Sequence, residues 1–70
     1  MMQIKAPMVG KVVAVEVKTG DQVKKNDVVV ILEAMKMQIK VYAPDDGEVD
    51  EVNINNGDVV NTETVLVSLK

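Results

Sequence analysis

The sequence predicts an all-β protein, a flattened eight-stranded antiparallel β-barrel (a barrel-sandwich) made of two halves related by a pseudo-twofold axis. Three observations lead there. Sixteen valines and four isoleucines stand against one Tyr and no Phe or Trp, and β-branched side chains, stiff at χ1, pack well on a pleated surface. The chain repeats itself at an offset of 37: Ala6-Pro7 matches Ala43-Pro44, Gly10 matches Gly47, Gly20-Asp21 matches Gly57-Asp58, and Val28, Val30 and Leu32 match Val65, Val67 and Leu69. No stretch combines 3.6-residue apolar spacing with a cap, so no helix is expected. Two copies this short make no solenoid, and they are expected to share one core.

Each half carries the same punctuation. A short first strand (Met2 to Lys5, or Ile39 to Tyr42) ends at Ala-Pro, and Gly10 or Gly47 is expected to form a turn that a side chain would obstruct. A second strand comes next at Val13 to Val17 and at Val52 to Ile54, alternating between a buried and a wet face. Val12 and Val49 are apolar in both halves but out of phase with the later residues of those strands, which predicts a bulge there. Lys18-Thr19-Gly20-Asp21 and Asn55-Asn56-Gly57-Asp58 read as tight turns, with Gly20 and Gly57 supplying positive φ. Short third strands contain Val23 and Val60. The fourth strands, Val28 to Leu32 and Val65 to Leu69, are the most continuously apolar and are expected at the centre, with Ser68, the counterpart of Ile31, on an outer face.

Between the two halves lies Glu33-Ala34-Met35-Lys36-Met37, where strand-like segments are joined by very few residues. The expected geometry is a hairpin with Lys36 at its tip. Tight turns ordinarily take Gly, Asn, Asp or Pro, and this one offers none of them. Two of the five methionines flank a lysine where water should be, and burying them there would gain the fold nothing. Soft thioether chains around a projecting amine suit a surface that another protein reads. Under the pseudo-symmetry the tip maps to positions just beyond the chain ends, so tip and termini are expected at opposite poles.

These residues resemble the attachment motif of the biotinyl domains, the carrier modules of biotin-dependent carboxylases and decarboxylases. The Glu33-Ala34-Met35-Lys36-Met37 string is the core of the likeness. Flanking segments extend it over almost the whole chain: APMVGKV, VKTGDQVKKND, APDDGEV and NNGDVV. Lys36 also stands 34 residues before the C-terminus (70 − 36), a placement similar to that family's. The resemblance implies covalent biotin on Lys36, with Glu33, Ala34, Met35 and Met37 recognised by biotin protein ligase and partner enzymes. It implies a carboxyl group shuttled between biotin carboxylase and a carboxyltransferase or decarboxylase. Gln38 departs from the pattern, standing where an acidic residue is common. A lipoyl carrier shares the fold and the hairpin lysine, but its lysine typically has an acidic residue before it and a small one after it, where Met35 and Met37 stand here. An unmodified docking barrel is a third reading, and it gives the Met-Lys-Met tip no purpose.

Composition narrows the rest. Seventy residues are expected to form one domain, 1–70. There is no Cys or His, hence no disulfide, no ordinary zinc site and no His- or Cys-based catalysis, which fits an enzyme poorly; the non-catalytic carrier is what the resemblance implies. The acidic run Asp45 to Glu51 lacks the alternating ligands of a calcium loop. A net charge of −3 with eight scattered lysines, no arginine and no stacking aromatics argues against nucleic acid. No apolar run approaches the roughly eighteen residues of a membrane helix, and the N-terminus lacks a signal-peptide pattern, so the expected location is cytoplasmic.

Overall fold

The computed structural model describes residues 2–70. Eight strands succeed one another: β1 (Met2–Lys5), β2 (Gly10–Val15), β3 (Gln22–Val23), β4 (Val28–Ala34), β5 (Met37–Tyr42), β6 (Gly47–Val52), β7 (Val59–Val60) and β8 (Val65–Leu69). They form two four-stranded antiparallel sheets, ordered β1-β8-β6-β3 and β5-β4-β2-β7. An offset of 37 carries each strand of one sheet onto the corresponding strand of the other, so the repeat read in the sequence is a pseudo-twofold exchange of the sheets. No strand needs a helix to cross over. This is the sandwich form of the expected flattened barrel.

The symmetry reaches individual hydrogen bonds. The Val12 N–H donates to the Asp58 carbonyl at 2.8 Å, and Val49 N–H does the same to Asp21 at 2.8 Å. Gly57 N–H returns to Val12 O and Gly20 N–H to Val49 O, so the turn of each half is bonded to the second strand of the other. Neither half closes without its counterpart. Within each turn an Asp carboxylate accepts from the backbone three residues earlier, Asp21 from Lys18 and Asp58 from Asn55. Gly20 and Gly57 sit at φ 95° and 94°, the left-handed region that favours glycine.

The bulge expected at Val12 and Val49 is present in both halves. Pairing of β2 with β4 skips from Val12 to Ala14, and pairing of β6 with β8 skips from Val49 to Glu51. It also explains a difference from the sequence reading: the second strands begin at Gly10 and Gly47 and end at Val15 and Val52, earlier than expected. The extra residue resets the alternation, so Gly10 to Val12 read from sequence as a turn and then an out-of-phase valine. Gly10 and Gly47 are accordingly not turn residues at positive φ. They open strands, and Gly10 is small because a Cβ there would stand 3.0 Å from the Glu33 carbonyl oxygen.

One core runs between the sheets. Leu32, Leu66, Leu69, Val12, Val29, Val30, Val49 and Val67 are fully buried, and Ile4, Val23, Val41, Ile54 and Val60 surround them. Each such side chain contributes roughly 1.5–3 kcal/mol, and short branched residues fill the gap without any aromatic ring. Ser68 keeps the outward side, between Gln3 and Glu51 of the flanking strands, both exposed. It is itself buried because a short side chain in a central strand is shielded by longer neighbours.

Candidate functional site

The hairpin of β4 and β5 carries the motif. Both arms are held from below: Leu32 is fully buried and faces Ile39, and Val41 is buried beside Val30. Above them Glu33 pairs with Gln38 and Ala34 with Met37, leaving a loop of only two residues, Met35 and Lys36. Their φ angles are 53° and 64°. Positive φ at both central residues is the pattern of a type I′ turn, the form whose twist matches the flanking strands and which ordinarily takes Asn-Gly. A non-glycine residue there costs about 1–2 kcal/mol. The hairpin therefore has the expected tip and an unexpected strain, held by the well-packed arms.

All of this leaves Lys36 exposed. Met35 and Met37 are 89% and 67% exposed, so both residues next to Lys36 in the chain stand largely in water. Among the described residues no carboxylate forms an ion pair with Lys36; the pair that is present, Lys70 with Glu48 at 3.3 Å, belongs to the other sheet. Glu33 is exposed at the base of the tip and Ala34 is half-buried against Gly10. The four residues flanking Lys36 in the motif are thus brought together around it. A shallow groove elsewhere is lined by Val15 and Val52 and by Val17 and Ile54, pairs related by the offset of 37, which places it on the pseudo-axis and not at the lysine. The described residues hold no cluster of three or more potential metal ligands from His, Cys, Asp and Glu.

The pole opposite Lys36 holds the ends of the described chain, Met2 and Lys70. β2 starts at Gly10 beside Ala34 and runs away from the tip; the turn after it bonds through Gly20 to Val49, whose neighbour across the sheet is Leu69, paired in turn with Met2. The chain traverses the molecule between those points, along a body measuring 31 × 18 × 17 Å.

A two-sheet body that presents an exposed amine on a two-residue tip suits a carrier domain. Its relatives agree. A family model described as a biotin-requiring enzyme matches residues 2–69. The chain is 44% identical over 68 residues to the biotin/lipoyl attachment protein of Bacillus subtilis, covering 97% of this chain and 93% of that protein. It is 42% identical over 67 residues to pyruvate carboxylase of Staphylococcus aureus, where the match covers 96% of this chain but spans only 6% of the enzyme. The lipoyl domain of the 2-oxoglutarate dehydrogenase complex from Azotobacter vinelandii superposes with a TM-score of 0.83 at 32% identity, covering 100% of this chain and 96% of that one. The chain belongs to the biotin/lipoyl attachment family and is a biotin carrier domain, not itself a catalyst.

Proposed function

We propose that Lys36 is the residue that carries biotin, and that the domain, residues 1–70, presents it in turn to a biotin protein ligase, a biotin carboxylase and a carboxyltransferase or decarboxylase. The observation that carries this reading is the exposed amine on a two-residue tip between two exposed methionines. Loading forms an amide: the Lys36 nitrogen attacks the activated biotinyl carbonyl carbon, the C–N bond forms, the bond to the activating group breaks, and the nitrogen gives up two protons in passing from ammonium to amide. An ammonium nitrogen has no lone pair with which to attack, so the ligase supplies the base. The domain supplies position, because β4 and β5 fix the Cα from which the nucleophile extends.

Once bound, biotin supplies a ureido nitrogen that accepts and releases a carboxyl group. This chain's contribution is to hold the arm clear of its own surface and, through the far pole, to keep any neighbouring polypeptide away from it. Loading also removes one cation, taking the formal charge from −3 to −4. The proposed setting is the cytoplasm, where ATP and the ligase are at hand.

Intact mass after incubation with biotin, ATP and a biotin protein ligase tests this. One added biotin in the parent, absent from Lys36→Arg, is the expected result. A folded parent that takes up none would overturn the reading and direct attention to lipoylation, the alternative that the shared fold keeps in view.

A further inference from the structure

Because residues i and i+37 occupy equivalent backbone positions, each half of the molecule is a control for the other. On the outward side of the sheet β5-β4-β2-β7, Val9 stands just ahead of β2, Lys11 and Val13 come after it on the strand, and Val59 of β7 lies directly across from Lys11. Val9 is 64% exposed and Val59 76%. The fold does not require valine at these places, since the counterparts of Val9, Lys11 and Val13 are Asp46, Glu48 and Asp50 and that of Val59 is Gln22.

Three of the four polar counterparts, Asp46, Glu48 and Gln22, make side-chain hydrogen bonds. Asp46 accepts a hydrogen bond from the Lys25 backbone N–H at 2.7 Å. The residue equivalent to Lys25 in the other half is Thr62, and Val9 offers its N–H no such acceptor. Glu48 accepts from Gln22 Nε2 at 3.3 Å and pairs with Lys70. One pole thus places hydrogen-bonding polar groups at positions where the other leaves Val9 and Val59 mostly in water, with Val13 about one-third exposed beside them.

The valine-bearing pole is the one with Lys36. Gln38, Glu33, Lys11 and Val59 form one row across β5, β4, β2 and β7, immediately below the pair Ala34 and Met37 that closes the tip. We propose that the stripe of Val9, Val13 and Val59 around Lys11 is the docking surface for the biotin ligase that acylates Lys36, an inference that rests on the assignment of that lysine. The occupant is decided by reach. Before loading, only the four-carbon stem of lysine separates the nucleophile from the hairpin, so an enzyme acting on the bare amine must cover the row next to the tip, whereas later enzymes meet a longer arm. Lys11 and Lys40 give this side two cations against Glu33, in a chain of net charge −3. The complementary ligase face therefore sets an acidic group opposite Lys11, with apolar side chains around it to meet the valines.

The test exchanges residues between poles. Val9→Asp and Val59→Gln together install what positions 46 and 22 already carry, so the backbone is known to accept them. Initial rates of biotinylation by a purified biotin protein ligase are measured against domain concentration, with thermal unfolding as a check on the fold. The expected result is about a tenfold fall in kcat/KM, carried by KM with kcat preserved, and no change for the reciprocal pair Asp46→Val and Gln22→Val at the far pole. Val9→Thr with Val59→Thr, which keeps shape and adds polarity, gives a smaller fall in the same direction. Parental kinetics in the Asp/Gln double variant overturn the docking surface while leaving Lys36 as the acceptor; a parent that takes up no biotin overturns both.

Discussion

Met35 and Lys36 share one conformation, the left-handed region at φ 53° and 64°, on the only two residues between the last pair of β4 and the first of β5. Each of them bears a steric penalty that glycine or asparagine would avoid. Met35→Asn should therefore stabilise the domain, by about 0.5–1 kcal/mol, while slowing biotin loading because a thioether is lost beside the amine. Urea unfolding and loading rate, measured on the same protein, check both halves; a variant that is no more stable would show that the tip is unstrained.

Lys36→Arg should abolish biotin uptake with stability held within about 0.5 kcal/mol, since an exposed side chain with no ion pair contributes little to the fold. Thermal unfolding beside intact mass reads both outcomes. A large loss of stability would mean that the lysine has a structural contact.

Gly10 and Gly47 are equivalent in the repeat and differ in what surrounds them. A Cβ on Gly10 would meet backbone, the Glu33 carbonyl oxygen at 3.0 Å, whereas on Gly47 it would meet Leu69 side-chain atoms at 3.4 Å. Gly10→Ala should cost about 1–3 kcal/mol and, by displacing the base of the hairpin, lower loading as well. Gly47→Ala should cost less than half as much and leave loading alone. Equal costs would contradict the difference in contacts.

Asp21→Ala and Asp58→Ala each remove the carboxylate that accepts from the backbone three residues before it, at 3.0 Å and 2.9 Å. Both hydrogen bonds are exposed, and each loss should cost about 0.5–1.5 kcal/mol. The turns are bonded to different strands and share no partner, so the double variant should show the sum. Chemical denaturation of the singles and the double is the check.

Much of this architecture is legible because the chain states it twice. The correspondence of Val12 with Val49, both out of phase, locates the bulge in each half, and Gly20 and Gly57 locate the turns that need positive φ. A one-dimensional pattern does not convey which residues the bulge transfers between strand and turn, so it places the second strands late and makes Gly10 and Gly47 look like turn formers. The turn at Asn26, with φ 76°, escapes the pattern although an Asn-Asp pair is a fair signal for it. At the tip, the Met-Lys-Met string marks the candidate site, but its left-handed backbone is hidden by residues that turn chemistry would not choose. The exposed valines are hidden for a different reason. Val9 and Val59 look like core residues until each is set against its counterpart, Asp46 and Gln22.

The pairing of Met2 with Leu69 has a mechanical corollary. Tension applied between the two ends of the chain would pull β1 and β8 apart from the same edge, loading their transverse hydrogen bonds one after another, as a zip opens, and not all together in shear. The lysine hairpin, β4 and β5, belongs to the other sheet and takes no part in that first opening, although β2, next in the chain after β1, pairs with β4 and would be loaded after it. The first hydrogen bonds to yield to such a pull would thus lie at the pole away from Lys36, between β1 and β8.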